Sequence, residues 1–300
     1  MPSLLGIDSG LTVTKAVVFD ADGTVLAVAR RRVPQLMPAP HRVERNMDGL
    51  WKATADAIRE AVGRSGRPAN DIVGIAATAH GDGIYLVGKD LRPLGPAITS
   101  LDTRAAGVAD AWNETDIGDR SLFLTGQKPH ASAPSAVLRW IRDNEPERYA
   151  GIGHMLAAKD WLRLCLCGSV GTDRTEASTS FTNVHSQDYD REALALFGLE
   201  ALADGLPLIS MSTDVVGKVT HLAAQETGLA EGTPVMAGLH DVTASALGIG
   251  GYREGVVAVV AGTYSINETV SPAPSIDQRD GVGASEGRRP LVLPQRHPAR

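Results

Sequence analysis

The sequence predicts an α/β protein that starts a second, similar unit near its end, and three observations predict it. An Asp-Gly turn at Asp20 to Gly23 sits between alternating, strand-like runs at the start of the chain. Short apolar runs then end in polar residues, at His80 to Asp82 and at His240 and Asp241, with helical stretches between them. That is the pattern of strands delivering side chains to loops at their carboxyl ends. Finally, "GVVAVVAGTYSINETVS" returns to the strand and turn character of the opening, which points to a duplicated, two-domain architecture.

The elements follow in order. "LLGI" is a strand, and "KAVVFDADGTVLAVARRRV" folds back on its Asp-Gly turn, so the chain opens with antiparallel strands. From Asp48 to Gly63, Trp51, Ala55, Ile58 and Val62 recur at helical spacing and make one apolar face, with Asp48 as the expected N-cap. "DIVGIAATAHGDG" holds a buried strand, and "IYLVG" is a further strand that turns at Lys89 and Asp90. "TRAAGVADAWNE" and "PSAVLRWIRDNEPERY" are helices, the second broken by Pro146 and carrying Val137, Trp140 and Ile141 on its apolar face. "AAKDWLRLCLCG" is a helix that stops at Gly168. "TPVMAGLHD" reads as one strand running into the helix "VTASALGIG", and the late strands join at a turn on Gly262 and Thr263. From Pro272 the composition shifts to Pro, Gly and Arg without sustained periodicity, as in a tail.

With 300 residues, 43% hydrophobic and 21% charged, the chain has room for one large or two ordinary folded domains. A formal charge of −6 supplies no basic field for a polyanion, which argues against nucleic acid and for a small-molecule partner. No apolar run approaches the roughly 18 residues that span a bilayer, and Asp8 interrupts the N-terminus before a signal-peptide core forms. The expectation is a cytoplasmic protein with no membrane partner. Cys165 and Cys167 sit in an apolar helical stretch and read as reduced core or near-core residues.

Three apolar runs end in chemistry-bearing side chains: Asp8, the His80 to Asp82 loop, and Asp241. A carboxylate at a strand end can hold Mg²⁺ through water or accept a hydroxyl proton, and phosphoryl transfer needs both tasks done. One such acid is ordinarily a solvated strand end; three together favour a nucleotide-using enzyme. Beside Asp8, Gly10, Thr12 and Thr14 offer small residues, amides and hydroxyls to a phosphate, and Lys15 offers a point charge. Neither the P-loop nor the dinucleotide-binding glycine pattern is present.

The ordered stretches "GIDSGLTVTKAVVFDADG", "RVERNMDGLW", "IVGIAATAHGDGIYLVGKDLRPLGPAITSLDTRA", "SAVLRWIRDNEPERYAGIG", "KDWLRLCLCGSVGTDRTEASTS", "GTPVMAGLHDVTASALGIG" and "AGTYSINETVS" resemble the FGGY carbohydrate kinases. Within that family the chain looks most like the L-xylulose kinase group, with xylulokinases, erythritol kinases and glycerol kinases further away. The resemblance implies the ribonuclease-H-like, actin-like ATPase fold. It divides the chain into a sugar-binding domain over 1–247, the start of a nucleotide domain over 248–270, and an irregular tail over 271–300. It also implies ATP-dependent phosphorylation of a ketopentose or related polyol, L-xylulose or xylulose first, with Mg²⁺.

Residue by residue, Asp8 matches the acid near the metal, and Gly10, Thr12, Thr14 and Lys15 match the phosphate turn. His80, Gly81 and Asp82 match the sugar loop, and Asp102 and Arg104 a structural and substrate-side pair. Asp241 matches the catalytic base, which also contacts the sugar, and Gly262, Thr263 and Ser265 match the second domain's phosphate turn. Val137 departs from the lysine common at its place. The family's second domain continues well beyond residue 270, and the tail resembles none of it, so the chain is expected to be a truncated form with little or no kinase activity. Its late hairpin, made to pair within a larger sheet, is then expected to be poorly held or to pack back on the first domain. Sugar or polyol and ATP are the expected partners, and a homodimer is compatible with the resemblance. A non-catalytic sugar-binding module or pseudokinase is the competing reading; a nuclease on the same fold would need a basic face.

Overall fold

A computed structural model of the chain describes residues 1–261, 265–270, 274, 276, 290 and 291. Among these residues the centre is a sheet of seven strands. Strands β1 (Ser3–Ser9), β2 (Val13–Asp20) and β3 (Val25–Arg32) form an antiparallel meander. Its β2 to β3 turn closes on the Asp-Gly signal: Gly23 has a φ of 91° and its N–H donates to the Asp20 carbonyl at 3.0 Å. Strand β4 (Ile72–Ala79) runs parallel to β1 on its other side. Strands β5 (Val215–Lys218), β6 (Pro234–Met236) and β7 (Leu239–His240) complete the sheet, with β6 and β7 both parallel to β4.

The run predicted as one strand through "TPVMAGLHD" is therefore two. Val235 pairs with Ile75 and Leu239 with Thr78, so four steps along one strand face three along the other and the break holds one extra residue. Gly238 makes that bulge possible: its φ is 75°, and a Cβ there would come within 2.0 Å of the Ala77 carbonyl oxygen.

Period-two alternation turns Leu5, Ile7, Ala16, Val18 and Ala29 inward, and helix α1 (Met47–Arg64) covers them with Leu50, Ala57, Ile58 and Ala61. The N-cap of α1 is Asn46, whose side chain accepts from the Gly49 N–H, and not Asp48, which lies within the first turn. The predicted capping position was off because a Met at the first helical position gives no sequence signal. Helices α2 (Pro134–Asn144) and α3 (Ala158–Cys167) follow the expected stretches, α4 (His221–Thr227) is a further helix outside them, and α5 (Asp241–Gly248) again follows an expected stretch. Gly168 ends α3 in the left-handed region, and Cys165 and Cys167 are free thiols.

A second core gathers Ile84, Leu86, Ile98, Val137, Leu138, Ile141, Phe181 and Phe197. Near it lies a buried ion cluster in which Lys159 Nζ is 2.6 Å from Asp160 Oδ1 and 2.9 Å from Asp173 Oδ1. The late hairpin, β8 (Val257–Ala261) with β9 (Ser265–Val270), is antiparallel. Ala258 is buried against Gly251 just after α5, whereas Val257 and Val259 face outward. Gly262 and Thr263, expected at its turn, lie outside the described residues, as does most of 271–300.

Candidate active site

Strands β1, β4 and β7 are parallel and end together, with Ser9 opposite Ala79 and Ala79 opposite His240. This register brings Asp8, His80 and Asp241, which are far apart in sequence, to one edge of the sheet. The His80 N–H donates to the Ser9 carbonyl at 3.0 Å and ties the first two strand ends together. The β4 and β7 ends interlock more tightly. A Cβ on Gly81 would fall 1.4 Å from His240 Nε2, so the imidazole occupies space that only glycine leaves. Asp82 and Gly83 then turn the loop away with φ values of 56° and 72°.

Asp241 opens α5, and its side chain remains 33% exposed while that of His240 is buried, with His240 Nδ1 3.4 Å from Asp241 Oδ1. The His240 N–H donates to Thr175 Oγ1 at 2.9 Å, and Thr175 Oγ1 in turn donates to Asp173 of the ion cluster at 2.8 Å. The strand end carrying Asp241 is thus anchored from both sides.

His80 is buried, with Nε2 3.3 Å from an Arg45 guanidinium nitrogen and 3.2 Å from the Tyr85 hydroxyl. Burial, then the neighbouring Arg45 charge, lowers its pKa from 6.5 to about 4, against smaller opposing effects of the Gly81 carbonyl and Asp82. His80 is therefore a neutral hydrogen-bonding group at physiological pH. Burial also raises the Tyr85 pKa, leaving a neutral hydroxyl.

At the turn after β1, the Gly10 N–H donates to the Val13 carbonyl at 3.0 Å. Asp8 and Lys15 are cross-strand partners, joined by a 2.7 Å ion pair at about two-fifths exposure. Thr14 departs from the expectation. Strand alternation turns it inward, where its hydroxyl meets Thr54 Oγ1 at 3.1 Å, so its side chain is not offered to a phosphate. No group of three or more His, Cys, Asp or Glu side chains suited to a metal occurs among the described residues. Mg²⁺ usually keeps several waters and takes one or two carboxylates beside substrate phosphates, and the half-open carboxylate of Asp8 suits that mode.

Asp102 and Arg104 are both sealed in. Asp102 accepts from the Val43 N–H at 2.7 Å and from Arg104 N, Nε and a terminal guanidinium nitrogen, while Arg104 also binds Glu44 at 2.6 Å. The two side chains are thus paired with each other and with Glu44, while the second terminal nitrogen of Arg104 has no hydrogen-bond partner among the described residues. Ser265 begins β9; the rest of its expected phosphate turn lies outside the described residues.

The N-terminal domain profile of the FGGY family of carbohydrate kinases matches residues 3–248. The chain belongs to this family. Among its FGGY relatives, the "Probable L-xylulose kinase" of Haemophilus influenzae is 38% identical over 263 residues, covering 87% of this chain and 54% of that protein. The "L-xylulose/3-keto-L-gulonate kinase" of Escherichia coli is 35% identical over 268 residues, covering 89% of this chain and 54% of that protein. The crystal structure of xylulose kinase from Rhodospirillum rubrum superposes with a TM-score of 0.85 at 28% identity, over 92% of this chain and 57% of that one. The fold is thus the actin-like ATPase fold of the FGGY kinases, and the chain spans about half the length of the curated relatives it matches.

Arg45, Tyr85 and Thr175 were not singled out by their sequence context, and His240 only as the polar end of an apolar run. Arg45 lies in "RVERNMDGLW", which entered only as a stretch of family resemblance, yet it is wholly buried.

Proposed function

We propose that this chain supplies the sugar side of an ATP-dependent carbohydrate kinase, with a ketopentose such as L-xylulose or xylulose as the acceptor. The common end point of β1, β4 and β7 supports the reading, because it brings the 10–13 turn, a neutral hydrogen-bonding histidine and a one-third-exposed carboxylate side by side. The L-xylulose kinases among the relatives supply the choice of sugar.

In this mechanism the Asp241 carboxylate accepts the proton of the acceptor hydroxyl as that oxygen bonds to the γ-phosphorus and the bond to the β,γ-bridging oxygen breaks, releasing ADP. His80 and the 81–82 loop orient the sugar, and the backbone of Gly10 to Thr12 with Lys15 faces the phosphates. Asp8 would hold Mg²⁺, which neutralises phosphate charge when bound. Residues 1–247 form the sugar-side unit in this reading, and 248–270 begin the nucleotide-side unit.

The test is calorimetric titration of the 300-residue chain with L-xylulose and D-xylulose, followed by an ADP-release assay with MgATP. Sugar binding with little or no ADP release is the expected result for this sugar-side unit. ADP release at ordinary kinase rates, lost in Asp241→Asn, would refute the expected inactivity and uphold the base role of Asp241, and no binding of either sugar would refute the substrate assignment.

A further inference from the structure

Arg45 belongs to a two-residue strand, Glu44–Arg45, paired with Ala97–Ile98 beneath the site. Its side chain is 0% exposed and forms no ion pair among the described residues. A guanidinium remains protonated in proteins, so this buried charge must be met by neutral dipoles. One terminal nitrogen donates to the carbonyls of Gly10, at 3.3 Å, and of Leu11. The other reaches His80 Nε2 and the Tyr85 hydroxyl, both at 3.3 Å. A single side chain therefore touches the phosphate turn and the sugar-loop histidine together.

Two consequences follow from elementary chemistry. A guanidinium can only donate, so His80 Nε2 must accept and the ring proton must sit on Nδ1, which lies 3.3 Å from the Gly81 carbonyl oxygen. In a trans peptide the C=O and the following N–H point in opposite directions. Drawing the Gly10 and Leu11 carbonyls inward thus aims the Leu11 and Thr12 N–H groups outward, and neither donates a hydrogen bond among the described residues. Successive outward amides form a concavity suited to an anion.

We propose that Arg45 is a positioning residue that both aims the Leu11 and Thr12 amides at the phosphate site and fixes the Nδ1–H tautomer of His80. The first half rests on the reading of residues 10–15 as a phosphate turn; the second stands without it. Arg45 contacts neither substrate in this scheme and acts through the groups it holds. It couples the two substrate sites, since any shift of its guanidinium moves both the turn and the histidine.

The test is ¹⁵N NMR of the full chain at neutral pH, with inorganic pyrophosphate as the phosphate probe. The wild-type His80 ring is expected to show a single neutral form protonated on Nδ1, and pyrophosphate is expected to shift the Leu11 and Thr12 amides. Losing charge-assisted hydrogen bonds to the turn, Arg45→Met is expected to weaken that titration by about tenfold or more, with the amides of Ala21 to Thr24 at the far end of the hairpin unchanged. If Arg45→Met does not fold, Arg45→Lys keeps the charge without the fork and is expected to keep the His80 tautomer while weakening the pyrophosphate titration. A proton on His80 Nε2 in the wild type, or variants that bind pyrophosphate as the wild type does, would overturn the proposal. A wild-type turn insensitive to pyrophosphate beside an Nδ1-protonated His80 would refute the phosphate reading and uphold the histidine half.

Discussion

The neutral, buried state of His80 makes the stability of this protein depend on pH in a defined window. Its folded pKa of about 4 lies below its ordinary 6.5, so between those values the unfolded chain binds a proton that the folded chain refuses. Stability is therefore full above pH 6.5 and is lost as the pH falls toward 4. The gap of about two and a half pH units, at about 1.4 kcal/mol per unit, amounts to about 3 kcal/mol from this one ring. The groups facing it do not reverse the sign: Arg45 adds to the depression, Tyr85 remains neutral, and the opposing Asp82 is a lesser influence.

Urea denaturation of the wild type and of His80→Gln at pH 7, 6, 5 and 4 isolates the effect, since the other titrating groups are common to both chains. The difference in unfolding free energy between the two should shift by about 3 kcal/mol against the wild type from pH 7 to pH 4. A pH-independent difference would refute the reasoning, because it would mean that His80 binds its proton equally in the folded and unfolded chains.

Other expectations follow from single contacts. Lys159→Met leaves Asp160 and Asp173 buried without their shared cation and should cost about 3 kcal/mol or more in urea denaturation. Gly81→Ala drives a Cβ into the His240 ring; a stability loss of about 1–3 kcal/mol and weaker sugar binding by calorimetry are expected. Burial holds the thiol pKa values of Cys165 and Cys167 above their usual range, so Ellman's reagent should react slowly with the native chain and rapidly in urea. Replacing outward-facing Val257 and Val259 by Thr should change stability by less than about 0.5 kcal/mol and lower concentration-dependent light scattering.

The backbone plan was legible where local chemistry decides it. Asp20 to Gly23 forces a tight turn, the spacing of Ala55, Ile58 and Val62 defines a helix face, and Gly168 stops a helix without help from the rest of the molecule. Asp8, His80 and Asp241 were also visible, as polar ends of apolar runs that the sheet then aligned. What escaped is what tertiary packing decides. Arg45 is a charged residue among charged residues until the fold buries it, and the Thr14 hydroxyl is free in the sequence until Thr54 of α1 meets it. The ion cluster at Lys159 escaped for the same reason, since its partner Asp173 comes from a different element.

The extra residue between β6 and β7 bears on how such a chain can change over time. Side chains alternate along a strand, so one added residue decides which of two neighbours goes under Gly81 and which stands open at the edge. Here the ring of His240 goes under and the carboxylate of Asp241 stays one-third exposed. Loss of one residue at 237–238, with the strand still paired, would move Asp241 into the buried place opposite Ala79 and bring Val242 to the place Asp241 now holds, while leaving the composition of the stretch almost intact. The register of this segment thus hangs on its length, and an insertion or deletion there would displace the site carboxylate where most single substitutions would not.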